Sequence, residues 1–585
     1  MNKSELVKKE RIASAFFAAF LLIGIAILYI FISLSLGDNK LYGFGVFISL
    51  IPFTASLKFY FKRKNFKTMI NLREQWGQEV KRKRDFKSIK KLFDNLAKNE
   101  KDFLIDDQTW FDLDMDKVFS KLDRTLSTPG QHYLYYMLRK PEFRYELLKK
   151  RGDKIKYFQQ NVEQREEIEL LLHKIGTDYK KTIVDFIWDK IDYSTKMKPL
   201  VYIMTMAAIG AIILGFTKGA ASAVLPILLV YCINYYIHSK TKKMVGTDIS
   251  SIGYLGKVLS SAQKISKMQN GQVFEEYSNE LKKNIEKCNS IMKKSLALQM
   301  SNTEGMDMII EYINIFLLNQ ARTFFQVIDD INKNIDSIKQ IYLLIGEIDS
   351  IISIASYREK IKYIEPTFVD GSKSIDVENI IHPLLEKPIN NSLDMRRNII
   401  ITGSNMSGKS TFLRTIGVNA LFSQTIYTCT ASKYKGDFFR VVTSISVSDN
   451  ISSGKSYYMG EAEALYRIIK NTNAYKYPIL TLIDEIFRGT NPIERINAAS
   501  EILKYLSQNN SLVMVATHDL EITNMVDDMY DCYYFTENVG KEGLEFDYKI
   551  KEGISSTRNA VKILEYMGYP KTIIDKINNA IANKN

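Results

Sequence analysis

Hydrophobic residues follow two rhythms along this chain: long unbroken apolar runs in the first half, and short apolar runs between polar stretches in the last third. From Ile12 to Leu36 the chain carries no charge. A helix of that length crosses the roughly 30 Å hydrocarbon core of a bilayer. A second apolar run, Leu41 to Leu57, follows the polar turn Gly37-Asp38-Asn39-Lys40, so the two predict a helical hairpin. Leu200 to Phe216 and Ala220 to Ile237, split by Thr217-Lys218-Gly219, repeat the pattern. Lys8, Lys9 and Arg11 precede the first pair and Lys58, Lys62, Arg63 and Lys64 follow it; Lys196, Lys198, Lys240, Lys242 and Lys243 flank the second. By the positive-inside rule these flanks are cytoplasmic. The expectation is a multi-pass membrane protein with four transmembrane helices and both termini inside. A signal peptide fits the first run less well, because the run is too long and no small-residue cleavage pattern follows. A buried core hairpin competes for the second pair, whose runs are only just long enough to span.

Residues 100–198 and 244–365 are rich in Leu, Ile, Lys, Glu and Gln and nearly free of proline, which predicts long helices. Ile309 to Leu318 reads as part of one unbroken helix. Pro366 and Gly371 mark a break, after which strand-like and helical runs alternate to about residue 550, the signature of an α/β domain. The expected architecture is multidomain α and α/β: an N-terminal transmembrane hairpin over 1–64, a basic juxtamembrane linker over 65–99, a helical region over 100–365 interrupted by the second hairpin at about 200–237, and an α/β domain over 366–585.

Charge adds a partner class. Lys and Arg number 80 against 66 Asp and Glu, a formal net charge of +14, which favours nucleic acid or an anionic membrane face. Part of the excess is the run Lys81-Arg-Lys-Arg84 with Lys87, Lys90 and Lys91. It reads as a solvated juxtamembrane helix facing anionic head groups, each lysine contributing about 1 kcal/mol. Cys232, Cys288, Cys429 and Cys532 are scattered and form no CxxC pair, so neither a disulfide framework nor a zinc site is implied.

The α/β region carries the chemistry. Gly403, Ser404, Asn405, Met406, Ser407, Gly408, Lys409, Ser410 and Thr411 follow the spacing G-x-x-x-x-G-K-[ST]. In such a loop the backbone amides cradle a phosphate, the lysine reaches the β and γ oxygens, and the hydroxyl takes Mg²⁺. The apolar strand predicted at Asn398 to Thr402 and the helix predicted after the loop, its N-terminus toward the phosphates, are the context this motif requires. Ile479 to Ile483 reads as a buried strand ending in Asp484-Glu485: the first acid would orient Mg²⁺ and the second polarise the attacking water. Leu512 to Thr517 reads as a neighbouring strand ending in His518, placed to sense a γ-phosphate. Ser452-Ser-Gly-Lys-Ser456 is a small-residue turn before a helix, a weak anion-site signal alone.

Together these segments resemble the MutS family of ABC-type ATPases. Thr402 to Thr411 is similar to that family's T-G-x-N-M-x-G-K-S-T loop, Ser453-Gly-Lys-Ser456 to its S-G-x-S signature, Asp484 to Thr490 to D-E-x-x-R-G-T, and Ala516-Thr-His518 to A-T-H. Ile381-His-Pro-Leu384 resembles the segment that opens the family's ATPase domain, and Phe546 to Gly553 with Asn559-Ala560 its closing segment. More faintly, Leu122-Asp-Arg-Thr-Leu-Ser-Thr-Pro-Gly130 and Leu138-Arg-Lys-Pro141 resemble the start of the core, or lever, domain.

The resemblance implies a P-loop ABC-type ATPase domain using ATP and Mg²⁺. Lys409 would hold the β/γ-phosphates, Ser410 and Asp484 the metal, with Asn405 near the γ-phosphate, Glu485 acting on water and His518 as sensor. Ser456 would reach the nucleotide of the opposite subunit in trans, making the working unit a homodimer with composite sites. It also implies a DNA-linked task on duplex or branched DNA. Strict mismatch recognition is not expected, because the family's Phe-x-Glu wedge domain has no counterpart in the first hundred residues and Phe274-Glu-Glu276 reads as ordinary helix. An ATP-driven membrane transport or remodelling device, and a nucleotide-switched scaffold for a protein partner, are the alternatives.

Overall fold

The computed structural model describes residues 3–37, 40–178, 183–189, 197–268, 271–300, 307–404, 406–446, 457–472, 476–487, 491–540, 543–554, 561, 564 and 567–582. The chain forms two compact units that interleave in sequence: Met1–Asn95 with Asp123–Leu134 and Lys154–Glu359, and Leu96–Leu122 with Tyr135–Asp153 and Lys360–Asn585.

The first unit is helical. Lys3–Gly37 and Leu50–Gln75 pair antiparallel: Phe16 stacks on Phe59 with ring centroids 5.0 Å apart, the Ser56 hydroxyl donates to the Phe17 carbonyl at 3.1 Å, and Arg63 donates to Glu10 at 3.2 Å. The second apolar run does not start as α-helix. Lys40–Ser49 is a tighter 3-10 segment, drawn against the first helix by glycine: a Cβ on Gly45 would lie 2.1 Å from the Phe31 ring. The α-helix begins only at Leu50, with Pro52 in its first turn, where its missing N–H costs nothing. Met197–Lys218 and Ala220–Ile265 form the second hairpin, broken at Gly219 with φ 92°. The latter helix has 46 residues, roughly 69 Å at 1.5 Å per residue, and so outruns any bilayer core. Among the described residues, four helices could cross a membrane by length and composition: Lys3–Leu36, Tyr42–Gln75, Met197–Lys218 and Ala220–Thr241.

Two sequence expectations need correction here. Ile309 to Leu318 is not part of one unbroken helix: Asp307–Leu317 ends at Leu318, which is left-handed with φ 47°, and Asn319–Lys333 restarts. The orphan carbonyls at that end are taken by the second hairpin, as Asn234 Nδ2 donates to Phe316 at 2.6 Å and Thr205 Oγ1 to Leu317 at 3.1 Å. Nor is Lys81 to Arg84 a solvated helix. Residues 79–85 are irregular, and Arg82 and Arg84 turn inward to the fully buried Asp123 at 2.6 and 2.8 Å.

Asp123 opens the Leu122 to Gly130 motif, which folds as a knot of polar bonds. Asp349, also buried, accepts from the Leu126 and Ser127 amides at 3.0 and 2.8 Å. Burial pushes the Asp349 carboxyl up to about 7 although Ser127 and these amides favour its charge. Gly130 is required, since a Cβ there would sit 2.1 Å from Asp349 Oδ2. Phe274 is buried and packs edge-on against Phe158 at 6.4 Å.

The second unit holds a six-stranded sheet in the order Lys551–Glu552, Tyr530–Tyr534, Asn398–Thr402, Ser511–Ala516, Ile479–Asp484, Arg440–Ser444. Only the first of these is antiparallel to its neighbour. The strands Asn398–Thr402, Arg440–Ser444, Ile479–Asp484 and Ser511–Ala516 are buried throughout, as parallel strands covered on both faces must be. A four-stranded sheet, in the order Thr367–Phe368, Lys433–Gly436, Ile375–Ile380, Asn391–Met395, stands apart from it.

Burial opposes the charge on Asp123, but Arg82 and Arg84 outweigh it and hold the carboxyl below its ordinary range. Its stabilisation is therefore complete above about pH 4 and fades as pH falls through the folded value. Asp123→Asn should lower the stability of the detergent-solubilised protein by roughly 3 kcal/mol at neutral pH. Denaturant unfolding against pH should show the deficit shrinking below about pH 4.

Candidate functional site

Because the five long strands of the six-stranded sheet run parallel, their carboxyl ends share one edge, where ligands bind in open α/β sheets. Five loops emerge there, beginning at Gly403, Ile445, Glu485, Thr517 and Phe535.

The first loop folds back on itself. Gly403 has φ 142°, and a Cβ there would lie 2.6 Å from the Phe535 carbonyl oxygen. Gly408, φ 108°, turns the chain into the helix Lys409–Thr425. The Lys409 ammonium is buried and donates to the carbonyls of Gly403 and Ser404 at 2.7 and 2.8 Å; Ser407 donates to the same Ser404 carbonyl at 2.8 Å. Met406 sits at φ 70° with its side chain outward, 83% exposed. The Ser410 hydroxyl donates to Asp484 Oδ2 at 2.5 Å, reaching past the strand Ser511–Ala516 that separates their own strands.

Glu485 holds a left-handed conformation, φ 62°, unusual outside glycine. It is fixed there by its N–H, which donates to the Ala516 carbonyl at 2.8 Å. That turn aims the carboxylate at the next strand tip, where His518 Nδ1 stands 3.1 Å away. The hydrogen bond to Glu485 raises the His518 pKa, partial burial opposes it, and Asp519 adds to it. Asp519 itself accepts from Nη2 and Nε of Arg495 at 2.7 and 2.9 Å.

A cavity of about 1100 Å³ opens over this edge. Its lining is polar at Lys409, Ser410, Thr411, Asp484 and Glu485 and apolar at Ile380, Leu385, Ile389, Phe535 and Tyr548, the last two beside Gly408, a mixture expected of a ligand site. Of the apolar lining, Tyr548 lies within the flagged segment Phe546 to Gly553, and Ile380 and Leu385 flank the flagged Ile381 to Leu384, but neither motif foresaw their place in the cavity. Tyr548 is held by Asn391, which donates to its carbonyl at 3.0 Å and accepts from Ile550 N–H at 2.9 Å. His382 also lines the cavity; Leu384 N–H donates to its Nδ1 at 3.3 Å, and burial pushes its pKa down to about 4, so the ring is neutral.

Lys409, Ser410, Asp484, Glu485 and His518 thus meet at one edge. Asn405, Ser453 to Ser456, Arg488 to Thr490 and Asn559-Ala560 lie outside the described residues. Among the described residues no group of three or more His, Cys, Asp or Glu is disposed around a metal ion. The Ser410 hydroxyl and Asp484 carboxylate do supply two hard oxygens side by side, the protein share suited to an octahedral Mg²⁺ that takes its other ligands from phosphate and water.

Residues 399–584 match the family model of MutS domain V. The DNA mismatch repair protein MutS of Clostridium botulinum (strain Hall) is 28% identical over 273 residues, 44% of this chain and 29% of that protein. The DNA mismatch repair protein MutS of Petrotoga mobilis is 31% identical over 268 residues, 43% of this chain and 32% of that protein. The chain therefore spans less than a third of the length of these relatives.

Gly403→Ala should destabilise the α/β unit by roughly 1–3 kcal/mol, because both the left-handed backbone and the Phe535 carbonyl exclude a Cβ. Chemical denaturation followed by tryptophan fluorescence would check this; parental stability would show that the loop has room to relax.

Proposed function

The chain belongs to the MutS family through its domain V, and on that premise we propose that it is a membrane-anchored, Mg²⁺-dependent ATPase that works as a homodimer and couples its nucleotide state to DNA. The observation that carries this reading is that Lys409, Ser410, Asp484 and Glu485 line one cavity at the sheet edge, where Glu485 also meets His518.

Each side chain then has a task. Lys409 exchanges the Gly403 and Ser404 carbonyls for β/γ-phosphate oxygens, and the loop amides complete the cradle. Ser410 and Asp484 would hold Mg²⁺, which would neutralise developing phosphate charge. Glu485 polarises the attacking water. Its hydrogen bond to His518 gives the sensor a physical basis, since a γ-phosphate within reach of the imidazole competes for the same proton. By resemblance to the family, Asn405 would serve the γ-phosphate and Ser456 the nucleotide of a second protomer, so that ATP would close two ATPase domains and hydrolysis release them. Residues 100–365 serve as core and lever, the hairpins anchor the chain with both termini cytoplasmic, and the basic balance of +14 favours a polyanion. Mismatch recognition by Phe274 is disfavoured, because that side chain is buried.

Glu485→Gln should retain ATP binding while turnover falls at least roughly a hundredfold, the usual weight of a general base; parental turnover would remove Glu485 from that role. In an ATPase assay of the detergent-solubilised protein, duplex or branched DNA should stimulate hydrolysis, and the stimulation should fall steeply with salt. Stimulation by anionic vesicles with no response to DNA would favour the membrane-remodelling reading. Undiminished tethering of a protein partner by Glu485→Gln would favour the scaffold.

A further inference from the structure

The turn Asp112-Leu113-Asp114 lies in the α/β unit, and none of the nucleotide motifs includes it. Asp112 is fully buried. Its two oxygens accept four hydrogen bonds, all from uncharged donors. Oδ1 takes Gln108 Nε2 at 2.8 Å and the Ser446 N–H at 3.0 Å; Oδ2 takes the Thr443 hydroxyl at 2.7 Å and the Ile445 N–H at 2.9 Å. A carboxylate withdrawn from water is tolerated only when its lone pairs are filled. Here three of the four donors come from residues 443–446, the end of one sheet strand and the start of its loop, and Ile445 and Ser446 line the cavity.

The same turn grips the helix that opens at Lys409. Arg414 donates from Nε to the Asp112 carbonyl at 2.7 Å and from Nη2 to Ser446 Oγ at 2.9 Å. Leu113 fills the groove at Gly417, where a Cβ would come within 2.7 Å of it. The turn thus joins the helix that begins at the phosphate-loop lysine to the end of the strand Arg440–Ser444. The chain runs on from this turn to leave the unit after Leu122.

We propose that Asp112 is a positioning residue for ATP hydrolysis: it fixes the cavity-lining residues Ile445 and Ser446 against the Lys409 helix. The assignment rests on the ATPase reading. Asp112 acts through residues 443–446 and not on the nucleotide, so its loss should slow turnover and spare binding.

Asp112→Asn keeps the shape but brings an NH₂ group against one of the two backbone N–H donors, leaving it unpaired. In the full-length detergent-solubilised protein, binding of a fluorescent ATP analogue and KM for ATP should stay within about twofold of the parent, while kcat falls roughly tenfold or more. Thr443→Val, which removes one donor, should show a smaller fall of the same kind. Parental kcat in Asp112→Asn would overturn the assignment, as would a parallel loss of affinity and kcat in both variants, the mark of a general packing role. A parent that hydrolyses no ATP would overturn the ATPase reading together with this assignment; a hydrolysing parent with an unaffected Asp112→Asn overturns the assignment alone.

Discussion

The hydrogen bond from Ser410 to Asp484 is the contact on which the site turns. The two residues belong to strand–loop segments that are not neighbours in the sheet, because Ser511–Ala516 lies between them. A hydroxyl and a carboxylate can meet across it only if all three strands end at the same level and point the same way. The parallel registers of Ile401 with Ala516 and of Asp484 with Ala516 enforce that alignment. From it follow the placement of Glu485, whose amide is bound to the same Ala516, and the meeting of Glu485 with His518. One residue's carbonyl thereby fixes the geometry of a carboxylate whose task depends on angle.

The helical unit obeys a different constraint, the filling of polar groups among apolar helices. Asp123 with two arginines, Asp349 with two amides, and the Phe316 and Leu317 carbonyls with Asn234 and Thr205 are instances of one rule: a buried polar group persists where a partner is built for it. The apolar exteriors of the two hairpins are of another kind. Large side chains such as Leu22, Tyr29, Phe44, Phe216 and Leu225 are more than half exposed, on helices whose length and composition suffice to cross a membrane.

How far the sequence could be read depended on whether each signal was local. Gly403 to Thr411 announced its conformation because positive φ at two glycines and a buried lysine follow from a nine-residue spacing. Asp484-Glu485 and Ala516 to His518 were legible because an apolar run ending in polar residues marks a strand tip at a sheet edge. The apolar cavity lining was not: Ile380, Leu385 and Ile389 share one stretch of chain, but Tyr548 lies 157 residues beyond Asn391, whose side chain bonds to it. The role of Arg82 and Arg84 was equally hidden, since a basic run looks the same whether it faces lipid or a single buried aspartate. The break at Leu318 depended on side chains of another helix, which no window around residue 318 contains.

The central claim is that this sheet edge is a Mg²⁺-dependent nucleotide site, and calorimetric titration of ATP into the detergent-solubilised chain tests it most directly. The account predicts one saturable site per chain, weakened by chelating Mg²⁺ and lost in Lys409→Ala while the protein stays folded. Undetectable binding by the parent, or equal affinity in Lys409→Ala, would contradict it.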